Sequence, residues 1–216
     1  MVCYQGSEII QFTAELAKIS NIVYKEYPYL YDVEDDAQFY LTKYCQSEDA
    51  KLLLAYEKDK VIGYVIGLPL KDYSLTFQRP FTHQGLEVED FFYIGELAIL
   101  PEYRRQGAGT ELMIQMEEWV KQDQKYPKIC LLHIDEEQIC SKKPKETIKL
   151  ALFWTYLGYT QQPTLSFSLD WKNVGEITET AHTLIYWTKP LLKENFYLAF
   201  GKYLKWRQGA RRVPLA

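Results

Sequence analysis

A strand that leads directly into a glycine-rich helix start constrains the fold of this chain more than any other segment. Residues 91–100 form a nearly continuous apolar stretch, which is typical of a strand in the centre of a sheet. Pro101 ends the stretch, because proline cannot donate to the hydrogen-bond ladder. Apolar side chains then recur at helical spacing over residues 107–122. The sequence therefore predicts a strand, a short loop and a helix in immediate succession.

The loop between this strand and this helix has the composition of a phosphate-binding segment. Its residues are Arg104, Arg105, Gln106, Gly107, Ala108, Gly109 and Thr110. A helix start presents unpaired N–H groups and the positive end of the helix dipole, and both attract phosphate. The two glycines let a pyrophosphate approach the backbone. The two arginines add positive charge, and Thr110 adds a hydroxyl donor.

Two glycines after a strand would by themselves indicate only a tight turn. A Walker loop would need a Lys-Ser or Lys-Thr pair after its second glycine, and a dinucleotide fingerprint would need a third glycine, so the spacing excludes both motifs. The combination of strand, proline, arginines, Gly-x-Gly and helix therefore indicates a phosphate site of another kind.

Hydrophobic periodicity predicts the other elements. Helices are expected at residues 8–25, 36–46 and 145–157, and strands at residues 51–56, 61–68, 128–134, 164–170 and 181–188, with room for a short strand before the first helix. Ser7 is the expected N-cap of the first helix. Residues 69–90 contain Pro69, Pro80 and Gly85 and are expected to form a loop. The order of elements indicates one mixed α/β domain.

An amphipathic helix is expected to begin at Pro190 and to run to about residue 206, followed by a basic tail. The chain is thus divided into a domain over residues 1–189 and an added C-terminal segment over residues 190–216. The apolar face of this helix must be covered either by the domain or by a second copy of the chain in a homodimer.

Charge and composition narrow the classes of partner. The formal net charge is −4, without the basic excess of nucleic-acid-binding proteins, so no nucleic acid is expected. No apolar run approaches the roughly 18 residues that span a bilayer, and the N-terminus does not resemble a signal peptide, so a cytoplasmic protein without a membrane partner is expected. The four cysteines form no Cys-x-x-Cys pair, and no metal site is predicted.

The strand-loop-helix segment resembles the signature of the GNAT superfamily of N-acetyltransferases, Arg/Gln-x-x-Gly-x-Gly/Ala, through Arg104, Gly107 and Gly109. The hairpin around residues 60–63 is similar to the second and third strands of the family. Residues 153–159 are similar to its late helix, which usually ends in Gly-Phe or Gly-Tyr. The likeness extends to about residue 188. It implies a GNAT-like mixed central sheet that is flanked by helices.

The resemblance also implies a donor, an acceptor and a reaction. Acetyl-CoA would be the acyl donor, with its pantetheine arm along the backbone of Leu97, Ala98 and Ile99 and its pyrophosphate on the amides of residues 105–110. The acceptor would be a primary amine of a small molecule or a peptide, which attacks the thioester directly in a ternary complex. A backbone N–H would polarise the thioester carbonyl.

Three residues are candidates for moving protons. Glu96 is an acid inside an apolar strand, and burial would raise its pKa toward a value that suits a base. Family members often carry the base three positions earlier, where this chain has Tyr93, or on the next strand at the position of His133. Glu96 could instead be a structural acid that backbone donors satisfy, with water as the base.

Many relatives place a tyrosine four residues before the late glycine, where its hydroxyl reaches the thiol. This chain has Trp154 at that position. Indole is not a comparable proton donor, so Trp154 is expected to pack against the cofactor or the core, and the thiolate would be protonated by water or by Tyr93. The same departure leaves open a degenerate domain that binds CoA as a sensor or interaction module without turnover.

Tyrosines and acidic residues cluster near the expected acceptor groove. Six tyrosines between residues 24 and 44 could line a pocket or pack between the first two helices. The acidic residues Asp32, Glu34, Asp35, Asp36, Glu87, Glu89 and Asp90 could attract a cationic amine or form a solvated loop surface.

Overall fold

A seven-stranded sheet organises the chain. The computed structural model describes residues 1–31, 37–135 and 150–191. The strands are β1 (Val2–Gln5), β2 (Lys51–Glu57), β3 (Lys60–Pro69), β4 (Phe91–Ile99), β5 (Lys128–Ile134), β6 (Thr160–Lys172) and β7 (Glu179–Pro190). The helices are α1 (Thr13–Tyr24), α2 (Ala37–Tyr44), α3 (Leu75–His83), α4 (Ala108–Gln122) and α5 (Leu150–Tyr156). Short 3-10 turns occupy Gly6–Phe12, Leu70–Asp72, Val88–Asp90 and Pro101–Tyr103.

The strand order in the sheet is β1-β2-β3-β4-β5-β7-β6. Among the strands of the described residues, β4 and β5 pair in parallel, and the other neighbouring strands are antiparallel. A parallel pair needs a crossover connection, which α4 supplies between these two strands. The predicted mixed α/β fold with a central sheet and flanking helices is confirmed.

Apolar side chains cover both faces of the sheet. On one face, buried residues of α1, α2 and α3, such as Leu16, Leu41 and Phe81, pack with strand residues that point the same way. On the other face, buried residues of α4 and α5, such as Met116 and Trp154, do the same. The continuous apolar character of residues 91–100 follows from this arrangement, since a strand covered on both sides alternates between two apolar environments.

The expectation that residues 69–90 form a loop is wrong for part of this segment, because the segment contains α3. Pro80 lies inside this helix, a position where proline removes a hydrogen bond and normally breaks the helix. The next residue, Phe81, is fully buried, and its ring lies 4.6 Å from those of both Phe91 and Tyr186. The burial of Phe81 thus outweighs the local cost of Pro80, which sequence periodicity could not reveal.

Two element boundaries also differ from the expectation. The chain enters its first helical turn at Gly6 rather than after Ser7, and the Glu8 carboxylate accepts a hydrogen bond from the Gln5 N–H at 3.4 Å. Pro190 does not begin a helix but is the last residue of β7, where it lies opposite Lys128. The rest of the expected C-terminal helix and the basic tail, together residues 192–216, lie outside the described residues, as does the first part of the helix expected at residues 145–157.

None of the helices in the described part of the chain has the length and apolar character needed to cross a membrane.

Two ion pairs fix α4, the helix that begins at the glycine-rich loop. Lys189 of β7 donates to the Glu117 carboxylate, and the two side chains are 10% and 11% exposed. Burial raises the pKa of Glu117, and Lys189 acts in the opposite direction. At the C-terminal end of the helix, Lys51 of β2 lies 2.8 Å from the C-cap residue Asp123. The pairs hold α4 against strands on both sides of the sheet centre.

Replacement of Lys189 by Met should destabilise the protein by about 3 kcal/mol, because it leaves the Glu117 carboxylate buried without its partner. The paired replacement Glu117→Leu with Lys189→Met should recover most of this loss, since it removes both charges. Urea unfolding of the three proteins measures the difference. Equal stability of the single and the double variant would contradict this role of the pair.

Candidate active site

The central strands β4 and β5 separate halfway along their length. Their parallel pairing runs from Phe91 with Lys128 to Ile94 with Leu131, and no further pair joins them among the described residues. Both strands continue beyond this point, β4 to Ile99 and β5 to Ile134. The backbone of residues 95–99 therefore faces a gap on the β5 side, with its polar groups available to a ligand.

A bulge at Gly95 marks the point of separation. On β3, Gly67 pairs with Ile94 and Ile66 pairs with Glu96, so Gly95 has no partner residue in this register. A Cβ atom at Gly95 would lie 1.7 Å from the Tyr44 hydroxyl oxygen, which leaves room for glycine alone. The extra residue brings Tyr93 and Glu96, three positions apart, onto the same face of the sheet.

A cavity of 960 Å³ fills the gap and extends to the start of α4. Its walls come from the second half of β4, the loop before α4, α5, the end of β5 and the segment after α1. The lining residues that the sequence analysis singled out are Tyr24, Tyr27, Tyr29, Leu97, Ile99, Arg104, Arg105, Gly107, Gly109, Thr110 and Trp154. The glycine-rich loop and the separated strands thus share one cavity, as the resemblance implied.

The loop before α4 presents a row of amides without backbone acceptors. Arg105 has φ +60° and Gly107, the N-cap residue, has φ +90°, so the backbone curls around the helix start. Within the described residues, the N–H groups of residues 105–110 donate to no backbone carbonyl. Such a concave set of amides at a helix N-terminus fits a phosphate group.

Arg104 orders this loop instead of presenting a free charge. Its Nε donates to the Ile99 carbonyl oxygen at 2.9 Å, and its guanidinium pairs with the Glu26 carboxylate just after α1. Arg105 is exposed and remains the arginine that can approach a phosphate. Sequence reasoning missed Glu26, because nothing in the pattern of α1 connects it to a loop almost 80 residues away.

The other motif residues have distinct places. Gly109 lies against the side chains of Leu97, Ile99 and Phe153, at 3.7 to 3.9 Å from where a Cβ atom would be. Gln106 is exposed and donates from its side chain to the Glu102 carbonyl oxygen. Ala108 begins α4 and is half-buried. The side chain of Ala98 is buried on the opposite face of the sheet, so only its backbone can serve a ligand in the cavity.

Glu96 lies in a buried polar group that faces α1. Its carboxylate accepts a hydrogen bond from the Ser20 hydroxyl at 2.8 Å and another from the Tyr64 hydroxyl. Burial raises the pKa of the Glu96 carboxyl, and these two hydrogen bonds act in the opposite direction. Both donors are side chains, whereas the alternative expectation was that backbone donors would satisfy Glu96. The sequence could have indicated Ser20 as a partner of a buried polar group, since it is a polar residue on the apolar face of α1.

Tyr93 and His133 do not line the cavity. Tyr93 is buried in the core, where its ring lies 5.3 Å from that of Tyr73, and burial raises the pKa of its phenol well above the usual range. His133 is 3% exposed, and its ring lies 6.4 Å from that of Tyr29, which does line the cavity. His133 is therefore in ring contact with a residue of the cavity lining.

The end of α1 and the segment after it form an aromatic wall, which consists of Tyr24, Tyr27 and Tyr29. This aromatic wall is tied to the β6–β7 hairpin, because Trp171 donates from Nε1 to the Tyr29 carbonyl oxygen at 3.2 Å. Next to it, the Val174 N–H donates to the Leu30 carbonyl oxygen at 2.7 Å. Both interpretations of the six tyrosines apply, since Tyr44 instead packs in the core with residues of α1 and α2.

The acidic residues at 87–90 do not flank this cavity. They lie in and beside the 3-10 turn at the start of β4, at the opposite end of the strand from the glycine-rich loop. Asp90 lies 3.7 Å from Lys128. The acidic residues at 32–36 and Cys140 lie outside the described residues. Among the residues that the structure describes, no group of His, Cys, Asp or Glu side chains could hold a metal ion.

Solved structures of acetyltransferases share this fold at low sequence identity. An aminoglycoside 6'-N-acetyltransferase complexed with coenzyme A is 15% identical, with a TM-score of 0.54 and coverage of 90% of this chain and 99% of that one. A GNAT-family acetyltransferase from Streptococcus pneumoniae is 15% identical, with a TM-score of 0.53 and coverage of 88% and 98%. A Salmonella typhimurium protein assigned as an acetyltransferase, solved with its cofactor acetyl-CoA, is 11% identical, with a TM-score of 0.53 and coverage of 90% and 95%.

Sequence comparison defines the family. No curated protein sequence matches the chain. The sequence model of the Acetyltransferase (GNAT) family matches residues 16–141, a range that contains most of α1, the separated strands β4 and β5 and the glycine-rich loop. The match covers more than half of the chain, and the mixed α/β fold agrees with it. The chain belongs to the GNAT acetyltransferase family.

The two motif glycines should respond differently to alanine. Gly107→Ala should destabilise the protein by about 1 to 2 kcal/mol, because a side chain is strained at φ +90°. Gly109→Ala should be neutral or stabilising by up to about 1 kcal/mol, since its added methyl group meets only ordinary contacts at the start of a helix. Urea unfolding of both variants tests the difference, and the reverse order of stability would contradict this account of the loop.

Proposed function

We propose that this protein transfers an acetyl group from acetyl-CoA to a primary amine of a small molecule or a peptide. The observation that carries the proposal is the single cavity that joins the free amides at the start of α4 to the exposed backbone of β4. A ligand with a pyrophosphate at one end and an extended amide arm at the other matches both features. Coenzyme A has this form, and two of the similar structures were solved with coenzyme A or acetyl-CoA.

In this proposal, the donor lies along the glycine-rich loop and β4. The amides of residues 105–110 and the Arg105 side chain hold the pyrophosphate, and the Thr110 hydroxyl adds a donor. The backbone of residues 97–99 pairs with the pantetheine arm in the gap that β5 leaves open. Phe153 and Trp154 of α5 cover the arm from the other side. A backbone N–H near the bulge at Gly95 polarises the thioester carbonyl.

The acceptor amine approaches along the aromatic wall and attacks the thioester directly. An amine with a pKa near ~10 is mostly protonated at neutral pH and must first lose a proton. Glu96 is the proposed base, and the proton reaches it through water, because its carboxylate faces α1 beyond the cavity lining. The amine nitrogen then forms a bond to the acyl carbon and the carbon–sulphur bond breaks. The nitrogen, positively charged after the attack, releases a proton to water and becomes the amide, and the thiolate takes a proton from solvent.

His133 is the second candidate base, since its ring contacts Tyr29 of the aromatic wall. The proposal that Tyr93 protonates the thiolate has weaker support, because its phenol is packed in the core away from the cavity.

The free cysteines and the net charge support the expected location and partners of the protein. Cys3, Cys45 and Cys130 are free thiols, which suits the reducing cytoplasm where acetyl-CoA is available. The net charge of −4 gives no support for a nucleic-acid partner.

Calorimetric titration with acetyl-CoA tests donor binding. The wild-type protein should bind, and Gly109→Trp should not, because an indole at this position would fill the space between Leu97, Ile99 and Phe153. Circular dichroism should show that the variant keeps its fold. Absence of binding by the wild type would reject the proposal. Thiol release with a library of amines then separates an enzyme from a CoA-binding sensor, which would bind the donor without turnover.

The pH dependence of kcat/KM tests the role of Glu96. A base works in its deprotonated form, so kcat/KM should rise with pH through the pKa of Glu96, which burial places above its ordinary value. Glu96→Gln should lower kcat by about 10²- to 10⁴-fold and remove this limb of the profile. The variant should still bind acetyl-CoA. An unchanged pH profile in Glu96→Gln would assign the base elsewhere, and His133→Gln is the matched comparison.

A further inference from the structure

The side chain of Arg104 joins three parts of the cavity wall. Arg104 belongs to the loop before α4, its Nε donates to the Ile99 carbonyl oxygen at the end of β4, and its guanidinium pairs with the Glu26 carboxylate after α1. Arg104 and Ile99 both line the cavity. A planar guanidinium that is held in two directions loses little further freedom with each contact. The segment after α1 is therefore linked directly to the loop that presents the free amides.

The pair of Glu26 and Arg104 contributes geometry rather than stability. The two side chains are 43% and 37% exposed, and ion pairs this accessible to water add little to the free energy of folding. The buried pair of Glu117 and Lys189 in the same protein differs in this respect. What the exposed pair does provide is a fixed spacing between two segments that lie far apart in sequence.

Glu26 lies at the base of the turn that carries the aromatic wall. Its N–H donates to the Val23 carbonyl oxygen at 3.3 Å, and its own carbonyl oxygen accepts from the Leu30 N–H at 3.0 Å. The Tyr31 N–H closes the same turn on the Tyr24 carbonyl oxygen at 2.7 Å. Residues 24–31 thus form one hydrogen-bonded unit, and a displacement of Glu26 displaces the aromatic wall with it.

We propose that Glu26 is a positioning residue that couples the two halves of the cavity, so that coenzyme A on the loop before α4 orders the aromatic wall. The inference rests on the proposed function, because it takes coenzyme A as the ligand of this loop. A pyrophosphate on the amides of residues 105–110 fixes the backbone next to Arg104, and Arg104 then fixes Glu26 and its turn. Glu26 acts only through Arg104 and takes no part in the chemistry.

The proposed coupling has a consequence for the order of binding. Coupling between two sites is reciprocal, so a donor that orders the aromatic wall also gains affinity from an acceptor bound there. The contacts that carry the coupling form a continuous chain from the loop through Arg104 and Glu26 to the turn. The acceptor therefore meets a fully ordered wall only after the donor has bound.

Amide hydrogen exchange, measured by NMR on the full chain with and without saturating coenzyme A, tests the coupling. Leu30 and Tyr31 report on the aromatic wall, because their N–H groups close its turn. In the wild type, coenzyme A should slow their exchange about fivefold, the lower end of the usual range for coupled sites. In Glu26→Ala this slowing should disappear, while shifted amides of residues 105–110 still show that coenzyme A is bound.

Glu102→Ala is the matched control variant. Glu102 also forms an exposed ion pair beside the loop, with Lys60 at 3.2 Å, but this pair leads to β3 and not to the aromatic wall. Glu102→Ala should therefore show the same slowing as the wild type. Glu26→Gln should keep part of the slowing, because its amide oxygen can still accept a hydrogen bond from the Arg104 guanidinium. A general loss of packing would not produce this partial rescue.

Equal slowing in the wild type and Glu26→Ala, or no slowing in the wild type with coenzyme A bound, would overturn the inference and leave the proposed function standing. Loss of the slowing in Glu102→Ala as well would also overturn it, since any charge beside the loop would then suffice. The same holds if Glu26→Ala no longer binds coenzyme A, because Glu26 would then hold the donor itself. If coenzyme A shifts no signal of the wild type, the proposed function and the inference both fail.

Discussion

The separation of β4 from β5 is the feature on which the site depends. A parallel pair in the middle of a sheet would normally bond along its whole length, and here it stops after Ile94 and Leu131. The bulge at Gly95 begins the divergence, and the Tyr44 hydroxyl occupies the space that a side chain at this position would need. The polar backbone groups that the separated strands expose are unsatisfied by the sheet, so the fold keeps them ready for a ligand with an amide arm.

Positive and negative groups are placed on different walls of the site. The loop before α4 gathers free amides and Arg105 at one end of the cavity, and the carboxylate of Glu96 lies behind β4 on the α1 side. Arg104 does not add to the phosphate end, because Glu26 and the Ile99 carbonyl oxygen already engage its guanidinium. The chain therefore separates the proposed phosphate site from the proposed base, with the β4 backbone between them.

Local patterns predicted the features of this protein that local chemistry determines. The apolar strand, its proline end, the glycine-rich loop and α4 were all evident from spacing, since each depends on residues close in sequence. The helix that contains Pro80 was not evident, because burial of Phe81 against Tyr186 decides it. The partners of Glu96 and Arg104 were not evident either. Ser20, Tyr64 and Glu26 lie 32 to 78 positions away from the groups they bind, and only the folded sheet brings them together.

The attachment of the aromatic wall to the β6–β7 hairpin has an evolutionary consequence. The hairpin holds the backbone of Tyr29 and Leu30 through Trp171 and Val174, and none of these contacts involves the glycine-rich loop. Mutations in the hairpin can therefore reshape the aromatic wall while the half of the cavity next to α4 stays under unchanged selection. Under the proposed function, one lineage can in this way explore new acceptors by drift in a surface turn, without first losing the donor site.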